Sequence, residues 1–349
     1  MGVSMTDWYK TQDIGRVQLE ITNYCNAACP YCERGIYPNE ELNNTNISIK
    51  TLKKFFNGNE WPNLNQIHLC GNVDEPTVHP NFFDVIDYLL TVNNTCWITI
   101  STNGGARNEE FWKKLASYDR VRVLFGIDGL NDTNHLYRIN VNWDALMRNV
   151  KSYISNGGTA SWQFIVFDHN QHQIEEAKTL ASTMKFIDFK IISSNRNRDP
   201  VLKKPATQII PKPIKFYDGH SAPSLKVINK ALSIKKEQVK TVSGITCAAK
   251  PHSGLNFFSN DGTLGNIYMT YKGNVYPCCW VASKRGLSEI SETAFGIDMK
   301  SNSIHFNDLD DIINGELWNH INDQMESLRC KHMCGNTKKG VDFARYIQF

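Results

Sequence analysis

Six short β-rich runs alternate with stretches of helical period between residues 16 and 192, and that alternation leaves few folds open. The runs fall at 17–21, 66–70, 97–101, 121–127, 161–166 and 186–192. The clearest helical stretch carries Trp143, Leu146, Met147, Val150 and Ile154 on one face and stops before Gly157-Gly158. The next puts Ile174, Ala177, Leu180, Ala181 and Met184 on one face, again at helical spacing. Repeated βα units of this kind predict a parallel sheet. In such folds the ligand lies at the C-terminal ends of the strands. The residues that follow each run therefore carry the functional signal.

After the first run comes Cys25-Asn26-Ala27-Ala28-Cys29-Pro30-Tyr31-Cys32, a C-x₃-C-x₂-C series. Three thiols within eight residues cannot all reach a common metal from a strand or a helix, but a loop wrapped around an inorganic cluster allows it. A cubane cluster has four irons, so three cysteines leave one iron without a protein ligand. An open coordination position is where metal-centred chemistry takes place. A zinc knuckle and unrelated buried thiols are the other readings of the spacing. The series resembles the signature of the radical S-adenosylmethionine (SAM) enzymes. That resemblance implies an open, partial (β/α)₆ barrel and a [4Fe–4S] cluster on Cys25, Cys29 and Cys32. Its open iron would chelate the amino and carboxylate groups of SAM. One electron, from a flavodoxin- or ferredoxin-type reductant, would then cleave SAM to a 5′-deoxyadenosyl radical.

The loops after the later runs agree in order. Gly71-Asn72-Val73-Asp74-Glu75-Pro76 is similar to the family's glycine-rich loop that receives the SAM amino group, with Asp74 standing where a second glycine is usual. A cationic amine needs acceptors, and a glycine lets backbone approach closely; a plain strand-to-helix turn is the other explanation. Ser101-Thr102-Asn103-Gly104-Gly105 follows the third run, where hydroxyl and amide groups suit a ribose or a polar substrate group. Asp128-Gly129, His135 and Arg138 resemble the arrangement in which an arginine pairs with the SAM carboxylate. A guanidinium fork matches a carboxylate bidentately. Val166 and Asn170 are candidate adenine neighbours after the fifth run. Tyr31, between two cluster cysteines, stands where the family often keeps an aromatic residue against adenine. His169 and His172 read as solvated histidines at a helix start, and Cys70 and Cys96 as small buried residues.

A second concentration of thiols lies toward the C-terminus: Cys247, Cys278, Cys279, Cys330 and Cys334. A hairpin over 267–276 separates the first from the next pair, and a helix over 309–328 precedes the last. This layout resembles the twitch domain, a shortened relative of the SPASM domain, which holds an auxiliary [4Fe–4S] cluster. The resemblance implies Cys247, Cys278, Cys330 and Cys334 as ligands, with Cys279 a neighbour or substitute; four thiolates would equally suit structural zinc.

The expected architecture is thus α/β: a partial (β/α)₆ barrel over 1–192, a linker over 193–246, and a small α+β cluster-binding domain over 247–349. Five prolines break the pattern in the linker, and one short helix is expected there, over 225–236. Residues 195–250 hold twelve Lys/Arg against three Asp/Glu, although the whole chain carries only +3. A basic bridge of that kind would attract an anionic substrate or simply keep the chain soluble. It lacks interleaved aromatics beyond Phe216-Tyr217, so nucleic acid is not the expected partner. No apolar run approaches the roughly 18 residues of a membrane span, and ten cysteines at metal-ligand spacing point to a reduced, cytoplasmic setting. The resemblance implies hydrogen abstraction from an unactivated C–H bond of a small molecule or peptide. Oxidation or cross-linking is the expected outcome, with the auxiliary cluster taking the electron. An iron–sulfur electron carrier or sensor is the non-enzymatic alternative, and an RNA-modifying enzyme a further one.

Overall fold

The structure is a computed structural model that describes residues 10–56, 61–193, 265–294 and 296–324. Strands β1 (Ile14–Leu19), β2 (Gln66–Leu69), β3 (Trp97–Thr102), β4 (Val121–Gly126), β5 (Thr159–Val166) and β6 (Asp188–Ser193) form where the β-rich runs lie. Each pairs parallel with the next. Helices α1 (Ile49–Phe56), α2 (Phe82–Val92), α3 (Glu109–Leu115), α4 (Asn134–Tyr137), α5 (Trp143–Ser155) and α6 (Ile174–Thr183) fill the crossovers. Side chains of Asn108 and Asn142 accept from the third backbone N–H beyond them and so start α3 and α5.

The two faces of the sheet differ. Val17, Leu19, Ile67, Leu69, Ile98, Ile100, Val123, Phe125, Trp162 and Phe164 form one apolar core with Phe55, Leu89, Trp112, Leu146, Val150 and Ala177 from the helices. Each fully buried Leu, Val or Phe contributes roughly 1.5–3 kcal/mol. The indoles keep their donors satisfied: Trp162 Nε1 donates to the Ile127 carbonyl at 2.8 Å and Trp112 Nε1 to that of Ala106 at 3.1 Å. The alternate residues are polar. Gln18, His68, Thr99 and Arg122 stand in register across β1 to β4, and Ser161 faces Asp188 across β5 and β6. A parallel sheet covered on both faces is normally apolar on both. Here the polar face is curved into the interior of a partial barrel, where Arg16, Gln18, Thr99, Ser161 and Asp188 are nevertheless buried.

The hairpin forms as β7 (Gly265–Met269) and β8 (Val275–Tyr276), turning through Gly273 at φ +76°. It continues the same sheet: β7 pairs parallel with β1, and the eight strands run β6-β5-β4-β3-β2-β1-β7-β8. Helix α7 (Lys284–Thr293) follows, capped by the Ser283 hydroxyl. The single helix expected over 309–328 is instead α8 (Leu309–Ile313) and α9 (Glu316–Asp323), broken at Asn314-Gly315, where Gly315 is extended as the cap of α9. Trp318 Nε1 binds the Val275 carbonyl at 3.2 Å and Asn302 Oδ1 at 2.9 Å, which locks α9 onto the hairpin. The linker beyond Ser193, with its expected helix, lies outside the described residues, as do Cys247, Cys330 and Cys334.

Candidate active site

The loops leaving β1 to β5 meet at one end of the sheet. Cys25, Cys29 and Cys32 are free and half-buried in the first of them. Tyr31 adopts φ +59° there, a left-handed conformation costing a non-glycine residue about 1–2 kcal/mol. The reversal lets the Cys32 N–H reach the Cys29 carbonyl at 3.2 Å. Three neighbours hold the loop. Ala28 N–H donates to the Ile139 carbonyl at 3.0 Å. Arg34 bridges the carbonyls of Asn23 and Val73, the latter at 2.9 Å. Asn26 and Asn103 exchange side-chain amide bonds at 3.3 and 2.9 Å, with Asn103 Nδ2 at 3.9 Å from the Cys25 sulfur.

These residues fit an iron–sulfur cluster. Burial, with the Glu75 carboxylate behind it, pushes the Cys25 thiol up to about 12, so the thiolate exists only when a cation takes its charge. Arg138 Nη1 lies 3.7 Å from the Cys29 sulfur and would offset the negative charge that three thiolates bring. Among the described residues no three His, Cys, Asp or Glu side chains converge on one metal ion. A cubane needs no such convergence, because each thiolate binds its own iron.

Behind the loop lie three buried carboxylates. Glu75, 2% exposed, accepts from the Thr102 hydroxyl at 2.6 Å, the Asn103 N–H at 2.7 Å and the Thr77 hydroxyl at 2.7 Å. Asp74 accepts from the Gly71 N–H at 2.7 Å and the Ile21 N–H at 3.3 Å. Glu20 accepts from the Asn72 and Val73 N–H groups at 2.8 and 2.9 Å. Gly71 has no room for a Cβ, which would run into the Glu20 and Asp74 carboxylates. Burial holds Glu75 above its usual range, and raises Asp74 well above it with help from the charges of Glu20 and Glu75. Burial also lifts Glu20 to about 7 against the bonds from Val73 and Asn72. A cation placed beside these groups would lower all three. Glu20 escaped the sequence analysis; its signal was the one acidic residue at the end of the first β-rich run.

Asp128 is fully buried at the end of β4, and its Oδ2 lies 2.7 Å from Arg138 Nε. Its Oδ1 accepts from the Ile165 N–H at 2.6 Å. Burial alone would pull the Arg138 guanidinium down, but Asp128 and the Cys29 sulfur outweigh it and hold it well above its ordinary value. Gly126 clears the path: a Cβ there would stand 2.5 Å from Arg138 Nη2. Ser101 Oγ pairs with His68 Nε2 at 2.8 Å on the polar face, and Tyr31 projects outward, 52% exposed. Asn72 extends its Nδ2 to the Cys279 carbonyl at 2.9 Å. Val166 sits within the apolar core. Asn170 spends its amide on the Asp128 and Ile165 carbonyls and the Phe167 N–H, clamping two loops. His135 is exposed, whereas His169 is buried and stacks on Phe167. Cys96 is buried in the core as expected. Cys70 instead faces the polar interior, where burial and then the Asp74 charge push its thiol up to about 12. Cys278 and Cys279 are half-buried after the hairpin.

Residues 19–181 match the model of the Radical SAM superfamily. The chain carries a radical SAM superfamily domain. It is 27% identical over 165 residues to mycofactocin maturase MftC of Mycolicibacterium smegmatis, which covers 47% of this chain and 40% of that protein. It is 33% identical over 113 residues to the tungsten-containing aldehyde ferredoxin oxidoreductase cofactor-modifying protein of Pyrococcus furiosus, 32% of this chain and 30% of that one. The radical SAM domain thus aligns with less than half the length of these relatives. In fold it resembles Streptococcus suis SuiB bound to S-adenosylmethionine, with a TM-score of 0.55 at 14% identity over 87% of this chain and 66% of that one. It also resembles anSMEcpe with bound AdoMet, with a TM-score of 0.51 at 13% identity over 87% and 78%.

Proposed function

We propose that this protein is a radical SAM enzyme that removes hydrogen from an unactivated C–H bond of a peptide or small molecule. The observation that carries the reading is the three-thiol loop, locked between the acidic 71–75 loop and the Arg138–Asp128 pair at the C-terminal ends of the strands. When bound there, the cluster supplies the electron that splits SAM into methionine and a 5′-deoxyadenosyl radical. Cys25, Cys29 and Cys32 hold that cluster. Glu20, Asp74 and Glu75 offer negative charge to the SAM ammonium group, and Arg138 offers positive charge to its carboxylate. Ser101 and Asn103 flank the sugar, and Tyr31 covers the adenine. The curved sheet keeps water from the reacting carbon. MftC is named a maturase, and SuiB has been solved bound to precursor peptide SuiA, which favours a peptide substrate. Cys247, Cys278, Cys330 and Cys334 hold a second [4Fe–4S] cluster that takes the substrate electron, so the outcome is oxidation or cross-linking. Anaerobically reconstituted protein given dithionite and SAM is expected to release 5′-deoxyadenosine. A protein that holds iron and sulfide but releases none is an electron carrier or sensor instead.

A further inference from the structure

We propose that the barrel interior binds a carboxylate or phosphate oxyanion of the substrate through Arg16, Arg122 and Lys190, a step that rests on reading this barrel as a substrate-holding one. The three cations come from three different strands, β1, β4 and β6, and meet on the polar face of the sheet. Asp188, with Oδ2 3.7 Å from Lys190 Nζ, is the carboxylate that faces them from β6. Glu20 and Asp74 stand at the loop end and are spent on backbone N–H groups there. Cys70 and Cys279 are the acidic groups that influence Arg16.

His68 sits among the cations and adds no charge. Arg16 Nη2 meets its Nδ1, and a guanidinium only donates, so Nδ1 must accept. Nε2 then carries the proton toward Ser101 Oγ at 2.8 Å. Arg122 Nε donates to Thr99 Oγ1 at 2.8 Å, and Gln66 Nε2 reaches the same oxygen at 2.7 Å, which fixes the plane of that guanidinium. Burial, then the mutual repulsion of these groups, acts against every charge in the cluster. It lowers Arg16 to about 10 and holds His68 well below its ordinary range. Lys190 falls to about 7, although Asp188 pulls the other way.

A cluster of like charges with one counter-charge is costly inside a protein, and an anionic guest offsets that cost. Arg122, His68 and Lys190 are half-buried, so a solute in the interior can reach them. Two guanidinium forks and an ammonium suit the several oxygens of a carboxylate or phosphate. The acidic loop end and the basic interior would then hold the cationic and anionic ends of the two guests apart.

The test uses the full-length, anaerobically reconstituted protein, with inorganic phosphate and acetate as probes and chloride at matched ionic strength as control. Melting temperature should rise saturably with phosphate, with acetate, or with both; which one does so identifies the oxyanion. The apparent dissociation constant should rise at least about tenfold in Arg16→Gln and Arg122→Gln, the factor expected for losing a hydrogen bond to a charged group. Arg122→Lys should restore most of the affinity, and Lys114→Gln, on the outer surface, should change nothing. Should a glutamine variant fail to fold, Lys190→Gln is read in the same way. Equal stabilisation by chloride, or unaltered affinity in the folded variants, overturns the proposal. Release of 5′-deoxyadenosine by the wild-type protein is scored separately. Its absence removes the proposed reaction and leaves anion binding standing, whereas release without anion binding removes this inference alone.

Discussion

Replacing Asp128 by Asn should be among the most damaging single-atom changes in the barrel. The substitution keeps the shape of the side chain and its acceptor for the Ile165 N–H, 2.6 Å away. It removes the charge opposite Arg138 Nε at 2.7 Å. Breaking a buried ion pair from one side costs about 3–5 kcal/mol, because the remaining charge is left without compensation. Arg138 retains 17% exposure and the Cys29 sulfur at 3.7 Å, so the lower end, about 3 kcal/mol, is expected. Asp128→Ala also strands the Ile165 N–H and should cost about 1–3 kcal/mol more. Removing both charges, in Asp128→Asn with Arg138→Gln, should recover much of the loss, with a coupling energy of about 2 kcal/mol. Anaerobic urea titrations followed by circular dichroism measure all three. A single Asn variant within about 0.5 kcal/mol of wild type, the range of an ordinary surface change, or strict additivity in the double variant, would falsify the account of this pair.

Other consequences follow from the same geometry. Gly126→Ala should act like Arg138→Gln on stability and SAM affinity, since the new Cβ stands 2.5 Å from Arg138 Nη2; calorimetric titration with SAM showing no change would contradict that. The Glu20 carboxyl is raised from 4.5 to about 7, so the stability it contributes is complete below pH 4.5 and lost as pH rises through about 7. Glu20→Gln should therefore flatten melting temperature across that window by an amount equivalent to about 3 kcal/mol, and an unchanged pH profile refutes the assignment. Cys25→Ala, Cys29→Ala and Cys32→Ala combined should cost about four irons per chain of about eight; a wild-type count near four with zinc present makes the second site structural zinc. A chain ended after Ser193 should aggregate, because β1 would become an open apolar edge; a soluble, SAM-binding product of that length shows the hairpin to be dispensable.

The barrel was legible because its helices and strands alternate in period, and Trp143, Leu146, Val150 and Ile154 announce a face whatever lies opposite. The cysteine loop was legible because its ligands are local. What stayed hidden depends on register. Arg16, Arg122 and Lys190 are isolated basic residues on three separate strands, and only the pairing of the strands puts them on one face. Glu20 is unremarkable until the 71–74 backbone turns back over it. The hairpin was visible, through Gly273 and the aromatic runs beside it, but its docking was not. Nothing local in 265–269 says that these residues add to β1.

That docking ties the C-terminal segment to the site. Glu20 N–H donates to the Met269 carbonyl at 2.9 Å while its carboxylate holds the Asn72 and Val73 N–H groups. The Tyr268 hydroxyl stands 3.4 Å from the same Asn72 N–H, and Asn72 Nδ2 reaches the Cys279 carbonyl. One residue of β1 thus connects β7 to the loop proposed to receive the SAM ammonium group, and Asn72 connects that loop to the turn carrying Cys278 and Cys279. A change of charge or ligation at Cys278 or Cys279 reaches the 71–75 loop through a single side chain. The hairpin is therefore part of the wall of the active site as well as the support of the second thiol set. Binding at the two places is expected to be coupled, with the Asn72 amide as the shortest path between them.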